Sequence, residues 1–300
     1  VAGGRDNVVG AQAVIGGGWK NTAGYRGVVS GGAWNTASAE FSSIGGGEEN
    51  RASDLHTVVV GGRTNRAAGY YSAVGGGWRN SALADYAHVG GGQNNSANTY
   101  HAVVGGGDHN TVSGNKGAIL GGAWNKVSSY EAVVGGGTRN TAVNYQSVAS
   151  GGQYNTASGS ISTVVGGQWN QGTGSSSVVV GGSHNRASED EATVVGGDRN
   201  YAASQAVVGG GTWNSALSPK TTIGGGWQNR AVGYSATVVG GGWHSASGRH
   251  STVGGGWNND ATGETTVVVG GNENTASGYR STIAGGSENF AVYDYAVVLG

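Results

Sequence analysis

The chain has 300 residues with 64 glycines, one proline, no cysteine and no methionine. Glycine at about a fifth, with no strict triplet and almost no proline, excludes a collagen helix. A charged fraction of 11% and a net charge of −1 exclude a disordered polyelectrolyte and leave no electrostatic footprint for nucleic acid or an anionic membrane surface.

In chain order, the motif Gly-Gly-x-x-Asn recurs from end to end. Its asparagines are Asn7, Asn21, Asn35, Asn50, Asn65, Asn80, Asn95, Asn110, Asn125, Asn140 and Asn155, then Asn170, Asn185, Asn200, Asn214, Asn229, Asn259, Asn274 and Asn289. Gly241-Gly242-Trp243-His244-Ser245 lacks the asparagine and reads as a unit shifted by one residue. With it there are twenty copies at a step of 14 or 15 residues, forming one uniform array over 1–300 with no linker. Val1 and Gly300 fall inside repeat units, so the chain reads as a slice of a longer processed array. No apolar run approaches the roughly eighteen residues of a membrane span, and no leader peptide opens the chain.

With the first glycine of the motif as position 0, position −2 is Val or Ile except at Ala149, and position −4 is small, as in Ala13, Gly27, Ser42 and Thr57. Position +4 is the asparagine, and position +6 is alanine except at Val9, Val112, Val127 and Gly172. Restricted positions two apart, with variable residues between, mark strands with one buried face. A period near fifteen is too short for helical-hairpin, leucine-rich or propeller repeats. The expected fold is therefore all-β, a parallel β-solenoid of about twenty coils. Each coil has a strand through small-x-Val-x-Gly, a corner at the two variable residues, and a second strand through Asn-x-Ala. At about 4.8 Å per coil, twenty would give a rod on the order of 95 Å. The asparagines would form a ladder of amide hydrogen bonds or cap the corner backbone, and the glycines would serve a positive φ or a close backbone approach. One Val or Ile, one Ala and one small residue per coil make a thin core, which favours lateral association.

These columns resemble the head repeats of trimeric autotransporter adhesins, the YadA-like heads. Their motif Ser-Val-Ala-Ile-Gly-x-x-Ala-x-Ala-x-Gly-x-x lies over Ser72 to Ala82 with its Val on Val74, its Gly on Gly77 and its second Ala on Ala82. The resemblance runs along the whole chain. Gly76 stands in the family's Ile position and Asn80 in its first Ala position. The resemblance implies a left-handed β-roll, a side-by-side homotrimer, a bacterial cell surface and a role in attachment.

All nine tryptophans lie in the two variable positions between Gly-Gly and Asn. Trp19, Trp78, Trp227, Trp243 and Trp257 read as the first position, and Trp34, Trp124, Trp169 and Trp213 as the second. They form an aromatic strip that would stack on sugar rings or anchor a partner; equally, the rings would cover the glycine corner or pack between subunits. Arg5-Asp6, Glu48-Glu49, Arg63, Asp108-His109 and Asp198-Arg199 share these positions, as on a solvated surface. The histidines, His56, His88, His101, His109, His184, His244 and His250, show no metal-ligand spacing. No carboxylate pair, nucleophile triad, calcium repeat or P-loop lysine points to catalysis, a metal or a cofactor, and the mixed residues Thr57, Ala73, His88 and Val103 do not build an ice-binding threonine lattice. Asn94-Asn95-Ser96 is a lone glycosylation motif. The expected function is an extracellular adhesive fibre segment whose partners are itself, as a homotrimer or end-to-end filament, and a glycan, host or matrix surface. The alternative is a purely structural filament or phage-type fibre shaft.

Overall fold

The computed structural model describes residues 1–300. It is all-β, and no helix is long and apolar enough to cross a membrane. The chain forms two compact units, Val1–Gly151 and Gly152–Gly300. Each unit is a parallel β-solenoid of ten turns.

Every turn repeats one plan. In the third, a two-residue strand Val28–Val29 leads through Gly31 and Gly32 to Ala33 and then to a second strand Thr36–Ala37. Val28 pairs with Ser43 and Thr36 with Arg51, both in parallel, one turn on. Ala33 pairs with Glu48 as a single bridge, a third ladder that the sequence pattern did not reveal. It runs through the first variable position, so Trp19 and Trp78 sit on backbone rungs.

The inward columns are those anticipated. Val29, Ile44, Val59 and Val74 are fully buried, as are Ala37, Ala52 and Ala67 opposite them. Each buried Val or Ile contributes about 1.5–3 kcal/mol. The small residue at −4 is mostly buried too, and in some turns its hydroxyl closes the turn before it: Ser42 Oγ donates to Ala39 O at 2.6 Å and Thr57 Oγ1 to Asp54 O at 2.6 Å. All these residues are sealed within one chain, so the core itself needs no second copy.

The second glycine of the motif serves both roles considered for it. At Gly77 φ is +88°, and an added Cβ would lie 2.0 Å from the Gly92 carbonyl oxygen of the next turn. Successive turns approach backbone to backbone there, and no side chain fits.

Each turn also holds two non-glycine residues in the left-handed region, at the second variable position and five residues before the first glycine. Trp34, at φ +61°, and Tyr71, at φ +55°, are examples. Left-handed backbone costs an L-residue roughly 1–2 kcal/mol. The stack holds it in place: Trp34 N donates to Trp19 O at 2.9 Å and Tyr71 N to Leu55 O at 3.2 Å, one turn back. Ile161, at φ +57° and 52% exposed, is β-branched like Thr64 and Thr265 in the same conformation, and it is the bulkiest of the three and lacks their hydroxyl. Ile161→Asn is expected to raise stability by about 1 kcal/mol, read as a higher urea midpoint, whereas Ile161→Val should not. An unchanged or lower midpoint for the Asn variant would refute this account.

Candidate binding surface on the glycine corner

The asparagine ladder lies directly beneath the corner. Asn80 is fully buried, and its Nδ2 donates to Gly76 O of its own turn and Gly92 O of the next, both at 2.8 Å. Its Oδ1 accepts the N–H of Asn95 at 3.0 Å, while its own N–H donates to Asn65 Oδ1 at 2.9 Å. Both expected roles, inter-turn ladder and corner cap, therefore belong to one side chain. The same pattern recurs at Asn21, Asn35, Asn50, Asn65, Asn95, Asn110 and Asn125. Asn140 donates to Gly136 O and Asn155 to Gly167 O.

The unit around His244 needs correction. Gly242, not Trp243, occupies the bridge position, pairing with Trp227 and Trp257. Trp243 therefore belongs to the second position with Trp34, Trp124, Trp169 and Trp213, at φ +61°. No residue has shifted; His244 has replaced an asparagine. It is 1% exposed, its N–H donates to Asn229 Oδ1 at 3.0 Å, and its Nδ1 accepts the N–H of Asn259 at 3.0 Å. That acceptor role requires the neutral ring. Burial holds the imidazole below the usual histidine range. Nε2 has no hydrogen-bond partner, whereas an asparagine Nδ2 at other rungs reaches two carbonyls.

Above the ladder, all nine tryptophans are 36–51% exposed, from Trp78 to Trp124. Most have their faces occupied. His109 stacks on Trp124 at 3.9 Å and Tyr154 on Trp169 at 4.0 Å. Lys20 sits 5.0 Å from Trp19 and 4.5 Å from Trp34, Arg79 4.5 Å from Trp78, and Arg199 4.9 Å from Trp213. Because stacked rings face along the solenoid, they present mainly edges to solvent. Trp227, Trp243 and Trp257 differ: they meet one another at 5.4 and 5.8 Å in edge-on and tilted geometry, without a cation. Gly242, lacking a side chain, makes room for the Trp257 ring, which would lie 2.7 Å from a Cβ placed there. Mixed charges flank the strip, with Arg63–Glu48 at 3.3 Å and Arg199–Asp198 at 2.9 Å.

Sequence reasoning missed a second aromatic column at the other left-handed corner. Phe41, His56, Tyr71, Tyr86 and His101 form one continuous parallel stack, with centroids 4.9, 4.6, 5.7 and 4.8 Å apart. Tyr70 and Tyr100 meet it edge-on, and Arg26 lies 5.2 Å from the Phe41 ring. The available signal was an exact fifteen-residue spacing in a column otherwise varied. Further along the same column, the hydroxyl of Tyr130, which precedes Glu131, lies 2.7 Å from Lys116 Nζ and raises the lysine's pKa, and the Gln146 amide, 2.9 Å from Glu131, lowers the carboxylate's.

No group of three or more His, Cys, Asp or Glu residues is placed to hold a metal ion. No family model matches this sequence, and no curated protein matches it.

Proposed function

We propose that this chain is a segment of an extracellular structural fibre whose glycine corner serves as an adhesive face, as the resemblance to YadA-like heads implies. The observation that carries this reading is the exposure of all nine tryptophans, 36–51%, on a scaffold whose core is closed without them. Aromatic side chains supply most of the contact energy at binding surfaces. The three rings free of cation partners, Trp227, Trp243 and Trp257, are the expected anchors. Lateral association into a homotrimer is favoured by a different face. Outward positions −3 and −1 carry no Asp, Glu, Lys or Arg in any turn, His88 being their one titratable residue, and Val60, Leu120, Val239 and Val269 there are 62%, 65%, 59% and 56% exposed.

The stacking of His109 on Trp124 and Tyr154 on Trp169 favours the second reading, a purely structural shaft in which the rings brace the corner. A triple variant, Trp227→Ser, Trp243→Asn and Trp257→Ser, separates the two. Each replacement is a residue that other turns carry at that position. Adhesion predicts at least a tenfold loss of binding to a panel of immobilised glycans and matrix proteins, with an unchanged melting profile. Bracing predicts a lower melting temperature and no binding to lose. Light scattering on the wild type should give three chains per particle; a mass that grows with concentration would point instead to a filament.

A further inference from the structure

A groove of about 380 Å³ on the first unit is lined by Arg51, Arg66 and Arg79 together with Glu49, Thr64 and Ser81. Arg51 and Arg66 are direct register partners on adjacent strands, so their side chains leave the sheet on neighbouring rungs about 4.8 Å apart. Like charges directly opposite one another destabilise a sheet. Elsewhere this strand column is mostly Ser and Thr, and its other cations, Lys126, Arg186 and Arg230, stand singly. Nearby carboxylates do not offset the pair. Glu48 is engaged by Arg63 at 3.3 Å, Glu49 accepts the Thr64 hydroxyl at 3.1 Å, and neither Arg51 nor Arg66 forms an ion pair. Three guanidinium groups against the one Glu49 carboxylate leave the groove with two net positive charges.

We propose that this groove binds a tetrahedral oxyanion, a sulfate ester or phosphate monoester carried on a saccharide. Arginine's planar fork meets such oxygens bidentately, and two forks one rung apart can grip a single group from both sides. The third cation points to a saccharide carrier: Arg79 lines the groove and covers one face of the Trp78 ring at 4.5 Å, and that ring, 36% exposed, leaves its remaining surface beside the groove for a sugar. A long polyanion such as nucleic acid would need a basic track, and no second basic pair continues this one along the column. The site involves other residues than the Trp227 cluster and stands without it.

The test is calorimetric titration of the whole chain with a sulfated heparin-derived tetrasaccharide, its desulfated counterpart and a phosphorylated oligosaccharide, at low and physiological salt. Variants Arg51→Thr and Arg66→Ser install the residues of the adjoining rungs, Thr36 and Ser81, so folding should be retained. Binding of the sulfated or phosphorylated sugar, absence of binding by the desulfated one, and at least a tenfold loss in the double variant are expected. Preference between the two charged sugars identifies the source of the oxyanion. The proposal is overturned if the desulfated sugar binds equally, if neither charged sugar binds, or if the double variant keeps full affinity. It is also overturned if Arg186→Ser with Arg230→Ser weakens binding as much, or if a single-stranded oligonucleotide binds more tightly than the charged sugars and loses that binding in the Arg51, Arg66 double variant.

Discussion

Asn80→Ala is expected to lower the stability of the first unit by on the order of 3 kcal/mol, as truncation of any interior rung with the same hydrogen bonds should. The substitution leaves the buried N–H of Asn95 without its partner and removes one hydrogen bond each from the part-buried carbonyls of Gly76 and Gly92. Each buried unsatisfied group costs about 1–3 kcal/mol. Gly92 O keeps the Trp78 N–H at 2.9 Å, so its loss is partial. In a solenoid each turn touches only its neighbours, so the damage should concentrate on the interfaces with the turns of Asn65 and Asn95. Amide exchange at Asn95 should accelerate far more than at Asn125, two turns further on. Ser81→Ala, one residue away on the outer face, should change stability by less than about 0.5 kcal/mol. A cost below about 1 kcal/mol for Asn80→Ala would mean that the ladder is a consequence of the stack and not a cause of it.

Legibility followed how strictly each position is constrained. Val29, Asn35 and Ala37 were identifiable because every turn imposes the same environment on them, so one sequence repeats the experiment twenty times. The third ladder, through Ala33 and Glu48, was hidden because its side chains point outward and vary freely. Left-handed backbone at Trp34 and Tyr71 was hidden for a different reason. Local propensity reserves that conformation for Gly, Asn and Asp, and here inter-turn hydrogen bonds override it. The stack from Phe41 to His101 was visible in spacing alone but carried no consensus residue. The position of Trp243 is ambiguous in the sequence because a glycine triplet, Gly240-Gly241-Gly242, allows two alignments of the motif, and taking the two glycines next to Trp243 as the pair gives the wrong one. The even steps of fifteen from Asn229 to His244 and from His244 to Asn259 distinguish the correct alignment.

That correct alignment makes His244→Asn a pH experiment. The wild-type imidazole must stay neutral to accept the Asn259 N–H, and burial depresses its pKa below the unfolded value of about 6.5. Above that value neither folded nor unfolded chain binds the proton, and His244 adds no pH dependence. As pH falls below about 6.5 the unfolded chain takes up a proton that the folded chain refuses, so stability is lost at up to about 1.4 kcal/mol per pH unit until the folded pKa is reached. Asp260, on the next turn, acts in the opposite direction: burial raises its pKa, so acidification relieves its charge. Its contribution is shared by wild type and variant and cancels in their difference. His244→Asn should therefore stabilise the second unit by about 1 kcal/mol at pH 7.5, through the hydrogen bonds that Nε2 does not make. The gain should widen by a further 1–2 kcal/mol or so at pH 5. Urea denaturation of both proteins at the two pH values, with Trp fluorescence reporting on neighbouring Trp243, measures that double difference. An equal gain at both pH values would show that the folded imidazole takes up its proton as readily as the unfolded one, and that burial does not hold this rung neutral in acid.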